Sequence, residues 1–205
     1  MTVNKLVLLK TVTWIACLWP LAKLVIGASL NELGADPTNA ITFTTGLAAL
    51  RILTLSLAVT PVRRLIPALS WIGPLRKILG LFAFFYATLH LATWVALYVA
   101  FDAHAMADDI LKRRFITVGL AAWLLLLPLA ATSFNWAIRK MGGKRWKRLH
   151  KLAYVAAVLG VVHYWWGVKS GVLTPITITI VLGVLLAARP VLDWAQRRRA
   201  VPRPV

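Results

Sequence analysis

The sequence predicts an all-α membrane protein built as a six-helix transmembrane bundle, and three observations carry that reading. Apolar residues make up 60% of the 205-residue chain and charged residues only 15%, where a soluble domain carries roughly a quarter. Mean hydropathy is +0.76. The apolar residues also fall in long continuous runs, and a run of about 18 or more reads as a membrane span. None of the runs alternates as a barrel strand would. Helices are therefore the spanning form, because a helix satisfies its own backbone groups within one segment.

The first run, about 6–28, lacks a short apolar core followed by a small-residue cleavage site, so it reads as a retained helix and not a signal peptide. Pro20 lies inside it and is expected to kink it. The second run is about 41–60, the third 78–100 and the fourth 115–134, the last with Pro128 as a second expected kink. The fifth and sixth, 152–168 and 172–188, are near the roughly 17-residue minimum for spanning. A turn at Lys169-Ser170-Gly171 joins them. No internal repeat stands out, and the only low-complexity tract is the basic tail. Residues 1–205 read as a single transmembrane domain.

Charge fixes the expected orientation. Eighteen of the 24 basic residues lie on one side: Lys5 and Lys10, then Arg63, Arg64, Arg76 and Lys77, then seven between Arg139 and Lys151, then Arg189 and four in the tail. The other side holds Lys112, Arg113, Arg114 and Lys169 with five of the six acids, Glu32, Asp36, Asp102, Asp108 and Asp109. By the positive-inside bias the first side is cytoplasmic, with both termini there, in a bacterial inner membrane. Trp14, Trp71, Trp146, Trp165 and Trp166 fall near span ends, as an interfacial aromatic belt requires.

The net charge of +18 does not point to nucleic acid, because the basic residues flank spans and form no soluble basic face. A single cysteine, Cys17, excludes an internal disulfide, a cysteine metal cluster and the Cys-x-x-Cys-His run of a covalently attached haem. The stretch after 188 is too short to fold as a flavin or nicotinamide domain. Any electron donor must come from a separate protein or from the lipid phase.

Four histidines remain: His90, His104, His150 and His163. Imidazole is the usual axial ligand of haem b, and a six-coordinate haem between helices needs two at one depth. His90 lies 13 residues past Lys77, and His163 lies 12 past Lys151. Both are then roughly 18–20 Å from the inner edge at the helical rise. Depth pairs them, placing a haem between helices three and five in the outer half of the bilayer. A single intramembrane histidine is as readily a structural hydrogen-bonding group; two at matched depth favour a metal.

His150 precedes His163 by 13 residues, a rise of roughly 19 Å but a net turn of about 220° in an ideal helix. Either the first turn departs from ideal geometry or His150 faces elsewhere. It is a candidate ligand of a second, inner redox site, or else an interfacial histidine in a basic loop. Helix three offers only Arg76 and Lys77 at that depth. His104, after Phe101-Asp102-Ala103, reads as a loop histidine.

Arg51 lies midway along the second run, where a guanidinium is costly unless it meets an anion or a polar cavity. A haem propionate, a quinone or a flavin phosphate are candidates, and snorkelling to the interface is the weaker reading at that depth. Lys23 is expected to snorkel. The basic loop 139–151 is suited to anionic lipid or to docking a donor.

Several of these segments together resemble the MsrQ (YedZ) family: Leu33-Gly34-Ala35-Asp36-Pro37; Arg76-Lys77-Ile78-Leu79-Gly80-Leu81 leading to Ala87-Thr88-Leu89-His90-Leu91; Gly143 through His150; and His163-Tyr164-Trp165-Trp166. The resemblance covers nearly the whole chain. It implies a haem-binding membrane subunit of a periplasmic methionine sulfoxide reductase system, related to transmembrane ferric reductases and NADPH oxidases. It further implies haem b (one or two) held by His90, His150 and His163, and an FMN cofactor. Input would come from quinone or a cytosolic flavin reductase. Output would go to MsrP, a periplasmic molybdopterin enzyme. Compared with the oxidases, the chain lacks a second histidine on helix three and the fused flavin and nicotinamide domains. The alternative expectation is a self-contained transmembrane ferric or cupric reductase, with the five outer acids binding a cation.

Overall fold

The computed structural model describes residues 3–168 and 173–200; the turn expected at Lys169-Ser170-Gly171 lies outside the described residues, as does Arg203. The described residues are helical, without strands: α1 (Val3–Ser29), α2 (Pro37–Leu65), α3 (Leu75–Thr93), α4 (Ala103–Lys112), α5 (Arg114–Ala131), α6 (Asn135–Met141), α7 (Gly143–Leu149), α8 (Leu152–Gly167) and α9 (Leu173–Ala200). Among them α1, α2, α5, α9 and α3 with its continuation to Tyr98 are long and apolar enough to cross a membrane. The protein is a multi-pass membrane protein. The fifth expected span corresponds to α8, at 16 residues.

The element ends follow local chemistry. α2 starts four residues before its apolar run, because the Asp36 carboxylate caps it, accepting from the Asn39 N–H at 2.9 Å, and Pro37 occupies the first turn. α3 passes into a π-turn at Trp94–Tyr98, and the chain then reverses through left-handed Ala100 and Phe101 (φ 49° and 62°). α9 runs twelve residues beyond the apolar stretch that ends at 188, through Arg197–Arg199 to Ala200. Alanine, glutamine and arginine are good helix formers, and no breaker lies between Pro190 and Pro202.

Pro20 opens α1 in a specific way. Tyr86 of α3, fully buried, places its hydroxyl in the gap: it donates to the Cys17 carbonyl at 2.7 Å and accepts from the Leu21 N–H at 3.1 Å. A proline removes one ladder bond and crowds the preceding turn. Here a side chain from another helix fills the next rung.

α2 packs along α3, and α5 along α8, as the two most extensive helix pairings. The core between them holds Leu53, Leu57, Ala83, Tyr86, Leu126, Ala156 and Ala157. At one end of the bundle Arg189 of α9 bonds the Leu57 carbonyl at 2.6 Å and the Tyr154 hydroxyl, and lies over the Tyr154 ring. Nearby, Arg64 pairs with Asp193 at 2.6 Å and Arg76 bonds Thr60 at 3.2 Å. At the other end Asp109 ties α4 back to the bundle, accepting from Trp94 Nε1 at 3.1 Å and pairing with Arg113 at 3.1 Å.

Candidate functional site

His90 projects from the last turn of α3 and His163 from α8, and the fold brings them together. Their ring centres are 5.7 Å apart and their planes are crossed at 79°. A metal held by two imidazoles at about 2 Å per bond separates the ring centres by roughly 6 Å. The separation of the pair is thus close to what one shared metal would require.

Each ring is oriented by its neighbouring helix. His90 Nδ1 lies 2.9 Å from the Thr42 carbonyl of α2, and His163 Nδ1 lies 2.7 Å from the Phe115 carbonyl of α5. A carbonyl only accepts, so in both residues the proton is on Nδ1 and the Nε2 lone pair is free. A carbonyl partner of this kind fixes tautomer and orientation in metal-binding histidines. The donor set fits an axial pair of neutral imidazoles.

A glycine stands one helical turn after each of these carbonyls. A Cβ on Gly46 would come within 2.9 Å of His90 Nδ1 and Cε1; one on Gly119 would come within 2.6 Å of His163 Nδ1. The two seats are thus identical in plan. Both histidines reach a carbonyl 48 residues earlier in the chain, across a glycine four residues after it.

The seats also set a register that the sequence alone does not announce. Gly46 to Gly119 and His90 to His163 are each 73 residues apart. In that register Thr44-Thr45-Gly46-Leu47-Ala48-Ala49 matches Thr117-Val118-Gly119-Leu120-Ala121-Ala122. Buried Leu53 matches buried Leu126, and buried Ala83 matches buried Ala156. The two seats thus recur at one spacing of 73 residues, a correspondence the reading from sequence did not register. It is masked because spans share a Leu/Ala-rich composition whether or not they are related. In the same register His150 falls against Lys77.

His150 lies apart from the pair. It caps α7 and is separated from α8 by a turn at Lys151, so the ideal-helix angle between His150 and His163 does not apply. Its ring stacks on Trp146 at 3.9 Å, and Nε2 lies 3.2 Å from the Thr132 hydroxyl at the end of α5. Burial, and secondarily the Arg76 charge, push its pKa down to about 4, so the imidazole is neutral at pH 7. His104 is exposed on α4. Arg51 is exposed and lines a groove of about 1210 Å³ along α1 and α2, which it shares with Lys23, Cys17 and Glu32. Thr42, Phe115, Gly46 and Gly119 were not singled out from sequence. Two act through backbone carbonyls and two through a missing atom, so no side-chain chemistry marks them.

Residues 43–161 match the family described as ferric reductase like transmembrane component. That span contains both glycines, His90 and His150, and ends two residues before His163. Over nearly its whole length the chain is also similar to proteins named protein-methionine-sulfoxide reductase heme-binding subunit MsrQ. The one from Herminiimonas arsenicoxydans is 44% identical over 95% of this chain and 90% of its own length. That from Rhodospirillum rubrum is 46% identical over 90% and 88%. That from Xanthomonas axonopodis pv. citri is 41% identical over 99% and 97%.

Proposed function

The chain belongs to the MsrQ family of ferric reductase-like transmembrane components, and from that premise we propose that it holds haem b between His90 and His163 and passes electrons across the bilayer to a periplasmic methionine sulfoxide reductase. The observation that carries the reading is the pair of imidazoles with Nδ1 bound to helix carbonyls, ring centres 5.7 Å apart. Bound haem supplies a one-electron couple; the chain's own residues hold it, orient its ligands and exclude water from it.

The proposed architecture has six spans in one domain over residues 1–205. α8 crosses as the short fifth span, and both termini are cytoplasmic in the inner membrane. His150 serves an inner entry point, as ligand of a second redox group, next to the guanidinium of Arg76. FMN and a second haem are the groups that family membership suggests there. Quinone or a cytosolic flavin reductase is the proposed donor, and MsrP, the molybdopterin enzyme, the acceptor. Arg51, in its groove facing the lipid, is assigned to an anionic group such as a propionate, a quinone headgroup or a flavin phosphate.

This reading is preferred over a self-contained metal reductase because four of the five outer acids are already employed. Asp36 and Asp102 cap helices, Asp108 pairs with Lys112, and Asp109 pairs with Arg113. The test is a reduced-minus-oxidised spectrum of the purified protein, followed by anaerobic reduction with quinol or reduced flavoprotein and by co-purification with the periplasmic enzyme. Absence of a low-spin b-type spectrum would overturn the reading. Efficient reduction of ferric or cupric ions without the periplasmic enzyme would favour the metal reductase.

A further inference from the structure

We propose that Gly46 and Gly119 are paired positioning residues: the absent Cβ at each lets the ring of His90 or His163 lie against the neighbouring helix and dock Nδ1–H on the carbonyl one turn earlier, so that both Nε2 atoms face one centre in a single tautomer. What Nε2 binds rests on the haem reading above. The seating of the rings does not.

The argument begins with the carbonyl. In a helix the carbonyl of residue i points toward residue i+4 and bonds its N–H. It keeps a second lone pair, and here each imidazole reaches the carbonyl by approaching over residue i+4. At Thr42 and Phe115 residue i+4 is glycine. The three nearest atoms that a Cβ at 46 would meet all belong to the His90 ring, at 2.9, 2.9 and 3.4 Å; those at 119 all belong to the His163 ring, at 2.6, 2.8 and 3.2 Å. These are not glycines of general helix packing. Gly160 faces a leucine methyl at 3.2 Å, Gly80 a serine hydroxyl at 3.7 Å, and Gly183 nothing within 4 Å.

An alanine at either seat must push the ring away from the carbonyl, since the ring is rigid and its Nδ1 bond is what holds it there. The displaced imidazole loses the hydrogen bond that raises its basicity and re-aims Nε2. A weaker donor stabilises ferric iron less, so the midpoint potential rises. The His163 seat is the tighter one, so the effect is larger at 119 than at 46.

The experiment compares Gly46→Ala, Gly119→Ala and the control Gly183→Ala as full-length protein in membranes. Three quantities are read: haem load, the electron paramagnetic resonance g-values of the low-spin centre, and the midpoint potential. The expected result is altered g-values and a raised potential, or loss of low-spin signal, in the order Gly119→Ala, Gly46→Ala, with the control unchanged. Wild-type g-values and potential in both seat variants overturn the proposal, as does an equal change in the control. If a seat variant fails to accumulate, His90→Ala is added to Gly46→Ala and His163→Ala to Gly119→Ala. Removal of the ring should restore accumulation to the level of the histidine variant alone, and failure to restore it overturns the proposal. This arm needs no haem, so it stands apart from a failure of the haem reading, which would appear as a wild-type protein without a low-spin spectrum.

Discussion

His90 and His163 stand with crossed rings 5.7 Å apart, although 73 residues separate them in the chain and each is steered by a different helix. Neither ring contacts its partner's guiding carbonyl: Thr42 serves one and Phe115 the other. Two half-sites of one design therefore meet, and on the proposed haem reading the loss of either half would remove one of the two ligands.

His90→Ala and His163→Ala are each expected to abolish the low-spin haem spectrum without preventing membrane insertion. Optical spectra and haem assay of matched membrane preparations check this. A normal low-spin spectrum at full haem load in either variant would refute the pairing.

His150→Ala is expected to leave that haem bound but to slow its reduction by the physiological donor, while dithionite still reduces it fully. In the proposed architecture the donor enters on the inner face, and roughly 20 Å of helix rise separates that edge from the His90–His163 pair. Stopped-flow traces of wild type and variant in membranes decide the matter. Unchanged donor-driven kinetics would leave His150 with only its packing between Trp146 and Thr132.

Reporter fusions at Gly34 and at the C-terminus are expected to report opposite compartments, with the C-terminal fusion cytoplasmic. The five long helices alone would carry the chain across an odd number of times. The experiment therefore asks directly whether the 16-residue α8 also crosses. N- and C-terminal fusions reporting opposite sides would show that it does not.

Tyr86→Phe is expected to destabilise the bundle by about 1–2 kcal/mol, because it strands the Cys17 carbonyl and the Leu21 N–H in a dry setting. Thermal unfolding in detergent measures the loss. A Tm equal to that of wild type would mean that α1 recloses its own ladder around Pro20.

Much of this organisation was legible in the residues. Five of the six expected spans coincide with helices long and apolar enough to cross a membrane, and the proximity of His90 to His163 followed from counting residues from Lys77 and Lys151. What escaped was whatever side-chain chemistry does not encode. The Asp36 cap lengthened α2, and a turn at Lys151 released His150 from the helical angle that had made its position awkward. Arg51 shows the opposite case. A guanidinium conspicuous in the sequence lies exposed in the groove along α1 and α2. The glycines were invisible because glycine is common in membrane helices, and only the ring pressed against each one gives it meaning.

The Tyr86 hydroxyl within α1 also bears on how the chain is made. Ribosomal synthesis delivers Cys17 and Leu21 to the membrane some 65 residues before the tyrosine that joins them. Until α3 arrives, the Cys17 carbonyl and the Leu21 N–H have only each other as protein partners, across a turn that Pro20 crowds. α1 thus reaches its observed hydrogen bonding beside Pro20 only when α3 docks. That makes α1 an element whose folding reports completion of its neighbour, and a nascent chain truncated before residue 86 should leave it the most accessible to proteases and lipid-phase probes.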